Sequence, residues 1–239
     1  MTSEFLPVFV RNALASSRML LPRLQQGAAS LEDTLACCQH LRIAGIGAFF
    51  LTGDPGALHG PLAQSGQAFA TFLGQAEDGV KRTSRSLPFF DALAAGDDTT
   101  AATEARLSRH TWAEGEEYEE DFLFVEFLMQ SFFLGASRET GERLLGRYEQ
   151  VLQGAEDIRL PLCRALFERD SAEFDTALST FLAERADGYE QRSEGEPPEV
   201  LATEALLSVE GLGLVRLAER WGLQVEEDYL HVPSLARAP

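Results

Sequence analysis

Lysine is nearly absent from this chain: Lys81 is the single one, and 19 arginines supply the remaining formal positive charge. Bases are scarce altogether, 20 Lys and Arg against 38 Asp and Glu, so the 239 residues carry −18 at pH 7. A surface of that sign repels phosphate backbones and anionic lipid heads. It argues against direct nucleic-acid or membrane binding and favours a basic macromolecular partner. Cysteine is equally short. Cys37, Cys38 and Cys163 form neither a CxxC pair nor a disulfide framework, and vicinal Cys37 and Cys38 point to different faces of a helix. They read as buried free thiols in a reducing compartment. His40, His59, His110 and His231 fall at no HxxxH, HExxH or ExxH spacing, so no metal site is expected.

Other signatures are missing too. Gly45-Ile-Gly47 and Gly211-Leu-Gly213 lack the third glycine of a dinucleotide fingerprint and lie inside helical patterns, where close helix approach is the better account. No cofactor is expected. Ser65 lacks the GxSxG elbow of a hydrolase, and no catalytic constellation is visible, so the chain reads as a non-enzyme. Met1 to Phe5 has no basic n-region, the apolar run 43–51 is too short to span a bilayer, and the greasy run 122–134 carries Glu126 and Gln130. The expectation is a cytoplasmic protein.

What the chain does have is helical periodicity and 45% apolar residues, enough for a real core. Ser30-Leu-Glu-Asp33 resembles a capping box and opens a helix to about Phe50; Asp54 and Pro55 open another to about Gln75. Leu87 to Ala95 is a short apolar helix, and Thr100 to His110 a further one. Glu119 to Leu134 is apolar nearly all round and must be enclosed by other helices. Arg143 to Leu152 and Pro161 to Arg185 look like a tetratricopeptide-type hairpin, although no repeat period recurs. Asp170 caps a helix with a one-sided stripe from Phe174 to Tyr189. Pro197-Pro198 opens a last long helix, Glu199 to Trp221, closed by Gly222 in a left-handed cap; the tail from Leu223 is irregular. The expected architecture is all-α, one compact multi-helix domain over 1–239, with little or no sheet.

Charge divides that domain unevenly. Residues 1–110 hold 10 acids and 9 bases, and residues 111–239 hold 28 acids and 11 bases, a net −1 against a net −17. Within the second part, Glu114, Glu116, Glu117, Glu119, Glu120 and Asp121 place six acids in eight residues, just before the greasy helix. Two or three of them are accounted for by the positive end of a helix dipole, at about 0.3–1 kcal/mol each. The others repel one another in the free protein, a cost that a basic partner would offset. Solvated helix start and partner-facing patch both remain open readings, as they do for Glu226, Glu227 and Asp228. Trp112 and Tyr118 flank the first patch and are of the types enriched in binding hot spots, or equally of the core.

The segment Trp112 … Glu120-Asp121-Phe122, the run Leu162-Cys-Arg-Ala-Leu-Phe-Glu-Arg-Asp170 and the helix Glu173-Phe-Asp-Thr-Ala-Leu178 continue into a long ending, residues 204–218. Trp221-Gly-Leu-Gln-Val225, Tyr229-Leu and Pro233-Ser-Leu235 complete it. Together, over residues 110–235, these resemble the Imm49 family of bacterial immunity proteins, which neutralise toxins of polymorphic and contact-dependent secretion systems. The resemblance implies a cytoplasmic, non-enzymatic antitoxin that binds a cognate toxin encoded beside it. Many such toxins act on nucleic acid or nucleotides through a basic domain, so the acidic half would occlude a basic substrate groove. Two other classes stay in view: a helical scaffold that binds a peptide or partner protein between helices, and a small enzyme using Glu126 as an acid–base group.

Overall fold

Local capping starts most of the long helices. In the computed structural model, which describes residues 3–238, Ser30 accepts from the Asp33 N–H at 3.1 Å and Asp54 from Gly56 N–H at 2.9 Å. Asp97, Ser137, Asp170 and Ser208 do the same for the N–H groups of Thr100, Thr140, Glu173 and Gly211. The helices are α1 Leu6–Gln25, α2 Leu31–Thr52, α3 Pro55–Gln75, α4 Leu87–Ala95, α5 Asp98–Leu107 and α6 Glu119–Phe132. They continue as α7 Arg138–Leu152, α8 Arg159–Glu168, α9 Ser171–Arg192, α10 Pro198–Leu201 and α11 Val209–Arg220. Three short 3₁₀ turns, Asp78–Val80, Thr83–Arg85 and Ser234–Arg237, complete the set. The protein is 72% helical and all-α; among the described residues the only β feature is an isolated bridge between Tyr229 and Val232.

Two apolar helices hold the centre. Every residue of α4 from Pro88 to Ala94 is buried, and so is every residue of α6 from Phe122 to Met129. Their rings meet where Phe90 stacks on Phe124, with centroids 5.8 Å apart. α11 lies on α4 through Gly213, where an added Cβ would stand 3.1 Å from both Leu93 Cβ and the Phe90 carbonyl oxygen. Gly45 does the same between α2 and α3, 3.1 Å or less being tighter than ordinary packing: its Cβ would be 3.0 Å from the Leu58 carbonyl. Both glycine pairs therefore serve close helix approach. α2 is long and apolar enough in composition to cross a membrane, yet 61% of its most apolar window is buried inside the fold, against α1 and α3.

Four stretches differ from the sequence expectation. α1 precedes the first helix expected from the sequence and carries no capping side chain at Phe5. α5 begins at Asp98, because Asp97 caps it, and stops at Leu107, where Thr83 Oγ1 donates to the Arg109 carbonyl and His110 turns to Glu126. The arm 161–185 is two helices, broken by Arg169 in the left-handed region (φ 58°) ahead of the Asp170 cap. The long helix from Glu199 to Trp221 is broken between α10 and α11. Arg185 donates to the Glu204 and Leu207 carbonyls, and the Ser208 N–H goes to the His231 carbonyl at 2.9 Å. Tertiary partners thus take backbone groups that a continuous helix would have used, and Ser208 caps the restart.

Candidate interaction site

The acidic segment 114–121 forms the approach to α6, with Glu119 as its first helical residue. Trp112 is half-buried against the core and donates its indole N–H to the Glu117 carbonyl at 3.0 Å, while Tyr118 stands 74% exposed. Glu117 is a loop staple: its carboxylate accepts from the backbone N–H groups of Ala113 and Ser84, both at 3.0 Å. Glu116 pairs with Arg82. Glu119 takes both ends of the Arg147 guanidinium, at 2.7 and 3.0 Å, and raises the Arg147 pKa through that hydrogen bond. Asp121 pairs with Arg159 at 2.8 Å. Among the described residues only Glu114 and Glu120 of the six acids have no hydrogen-bond or ion-pair partner. The dense run is therefore partly neutralised from within by arginines on three other elements.

Glu226, Glu227 and Asp228 are all exposed in the tail after α11. Asp228 caps the turn, accepting from the Ser234 N–H at 2.6 Å, which lowers its pKa. Arg237 binds the carbonyls of Glu226 and Glu227, so the two Glu side chains themselves stay without partners among the described residues. Among the described residues no hydrogen bond or ion pair joins this patch to the first. Glu126 lies inside α6, 4% exposed, with one oxygen on His110 Nδ1 and the other on Gln130 Nε2, both at 2.8 Å. Among the described residues no group of three His, Cys, Asp or Glu side chains is placed to hold a metal ion.

A surface trough is the feature that residue patterns did not reveal. One cavity of about 480 Å³ runs from Ala29 and Leu31 past Phe72 to Val80, Arg82 and Glu116. A second, about 590 Å³, runs from Leu35 and Gln39 past Leu87 to Tyr189 and Glu204. Both share Glu32 and Arg85 as walls, and the second shares Tyr189 with a third cavity of about 380 Å³ that ends at Arg159 and Glu210. The acidic segment borders this path repeatedly, through Glu116, through Glu117 on Ser84, and through Asp121 on Arg159. The side of the second cavity is closed by Arg42, which grips Asp91 with two bonds of 2.7 Å and Glu204 with one of 3.1 Å. Burial works against the Arg42 charge, but the two carboxylates outweigh it and raise its pKa.

The profile of the family described as Immunity protein 49, Imm49, matches residues 62–235. The match begins within α3 and takes in α4 and α5 as well as the acidic half. No curated protein and no solved structure matches the chain.

Proposed function

The chain belongs to the Imm49 family of immunity proteins, and from that premise we propose that it neutralises a cognate toxin by binding it with the acidic half, covering a basic substrate groove. The observation that supports this reading is the surplus of unpaired charge. In residues 111–239 eleven of the 28 acids sit in ion pairs among the described residues, leaving 17 carboxylates against only four unpaired arginines. Such a field accelerates encounter with a cationic partner and fades as salt shortens its range. On this reading Glu114, Glu120, Glu226 and Glu227 are the free contact acids and Tyr118 the exposed aromatic. Glu116, Glu119 and Asp121 would have to share their arginines with the toxin, and Glu117 acts through the loop it holds. The protein works in the cytoplasm, as one domain, without a cofactor.

Stopped-flow association with the toxin domain encoded beside this chain tests the reading. Glu114→Gln, Glu120→Gln, Glu226→Gln and Glu227→Gln together should slow association about tenfold at low salt and little at high salt. They should leave the melting temperature unchanged. Association that ignores both salt and these substitutions overturns the electrostatic contact. A helical scaffold that seats a partner segment between helices is the second reading, favoured by the trough; it expects the acid substitutions to be tolerated.

A further inference from the structure

α1 is apolar on two opposite sides, and the fold uses one of them. Leu6, Val10, Ala13, Ser17, Leu20 and Leu24 recur at alternating steps of four and three, are buried or half-buried, and form the side on which α1 meets α2 and α3. A helix at a protein surface ordinarily turns charge to water opposite such a stripe, as α9 does with Glu173, Glu184, Asp187 and Glu190. α1 does not. Phe5, Val8, Asn12, Ala15 and Met19, at steps of three and four, are all exposed, Phe5 by 56%, Val8 by 37% and Met19 by 77%. No other helix carries more than one exposed large apolar side chain among the described residues.

Spacing and charge select the occupant. Steps of three and four are the stripe of a two-stranded coil, in which a single asparagine among the apolar positions sets strand number and register. Asn12 is the middle of the five. Two copies of a −18 chain repel one another over most of their surface, yet residues 1–25 hold only Glu4 against Arg11, Arg18 and Arg23, a net +2. A second copy can therefore approach α1 without setting acid on acid, whereas the same arginines turn a basic toxin away. Pairing in parallel sets Asn12 against Asn12, and it brings Arg18 of one copy near Arg23 of the other, whose charge Asp33 already balances at 3.0 Å. Pairing in antiparallel would set Arg11 beside Arg18 or beside its own counterpart, and neither has an ion-pair partner among the described residues. We propose that α1 joins two copies of this chain in a parallel, two-fold pair, each of the five exposed residues facing its own counterpart. The proposal does not depend on the antitoxin reading, since α1 lies ahead of the residues that match the family. A single helix pair about 21 Å long is at the small end of specific interfaces, so the dimer forms in the micromolar range.

Analytical ultracentrifugation of the full chain from about 1 μM to about 1 mM tests it. The mass should climb from one chain to two. The dimer should tighten with added salt, because screening relieves the repulsion between the acidic bodies, whereas toxin association should slow. Val8→Glu and Met19→Glu, both at exposed positions, should each weaken the dimer about tenfold or more, since each would bury a carboxylate between the helices. Helicity by circular dichroism and toxin binding per chain should match the parent. Asn12→Cys should form an interchain disulfide under mild oxidation, because a parallel pair brings the two positions within reach and Cys37, Cys38 and Cys163 are all buried. A monomer throughout that range, or a dimer indifferent to both glutamates, overturns the proposal. A dimer whose Asn12→Cys form stays uncrosslinked overturns the parallel pairing. Weakened toxin binding by Val8→Glu and Met19→Glu in a chain that stays monomeric makes the toxin the occupant; the proposal then fails and the antitoxin reading stands.

Discussion

Residues 1–110 are nearly neutral, yet they bury charge more deeply than the acidic half does. Arg42, Lys81, Asp91 and Glu104 are buried among 19 charged residues there, while only Glu126 and Glu204 are buried among the 39 of residues 111–239. The near-neutral part thus carries more of its charge fully inside, where desolvation makes each unpaired group expensive, and the −17 part leaves most of its charge exposed to water, where screening makes it cheap. Net charge and charge-related strain therefore lie in different parts of one fold. The seam between them is itself ionic: Arg42 on α2 reaches Glu204 in the turn between α10 and α11, and Arg82 reaches Glu116.

Removing the buried cation should break this contrast most sharply. Arg42→Gln leaves Asp91, whose second oxygen also accepts from Ser65, and Glu204 without their counter-charge. Losing one partner of a buried pair costs about 3–5 kcal/mol, so urea unfolding should show a fall of that size or a chain that does not fold. An unchanged midpoint would mean that the seam does not hold the two parts together.

Glu104 offers the opposite effect. Its carboxyl is fully buried with no partner on either oxygen, and burial raises its pKa well above the ordinary 4.5. The folded protein therefore keeps a proton that the unfolded chain releases above about pH 4.5. Its contribution to stability is full below that pH and is lost as pH rises toward the folded value. Glu104→Met, of similar size without polar atoms, should stabilise the protein by about 1–3 kcal/mol at pH 7 and by less at pH 4. Thermal melts at the two pH values check it, and a destabilised variant would refute the assignment.

The smallest effect belongs to a pair that joins the two parts, His110 and Glu126. Hydrogen bonding to Glu126 raises the His110 pKa above the ordinary 6.5. The unfolded chain loses that proton first, so the pair's contribution is complete below about pH 6.5 and disappears as pH climbs through the raised value. His110→Gln should flatten the melting profile between pH 6 and pH 8 slightly, because His110 is one-third exposed and its pair is screened. A profile as steep as the parent's would assign the slope to Glu104 instead.

Much of the fold was legible because its signals are local. Ser30, Asp54 and Asp170 cap helices within three residues of themselves, and Gly222 adopts φ 84° directly behind α11. The enclosed α6 was legible from its narrow polar stripe. The break at 202–208 was not, since nothing near Thr203 announces it; the hydrogen bonds that hold it come from Arg185 and His231. The acid run at 114–121 was visible as composition, but its partial neutralisation was not. Arg147 lies 28 residues from Glu119, and Arg159 lies 38 from Asp121. Spacing carries no trace of such pairs.

The amino-acid sequence by itself determined the helical class, most helix starts, the asymmetry of charge and the family to which the chain belongs. Those properties follow from hydrogen bonds closed within a few residues, from periodicity and from counting. Only the tertiary structure decided which carboxylates are spent on arginines and which face solvent, that Arg42 and Glu204 meet across 162 positions, and that α2 leaves a trough beside it. Each of these depends on packing between distant helices, where desolvation and Coulomb attraction act on groups that the chain order keeps apart.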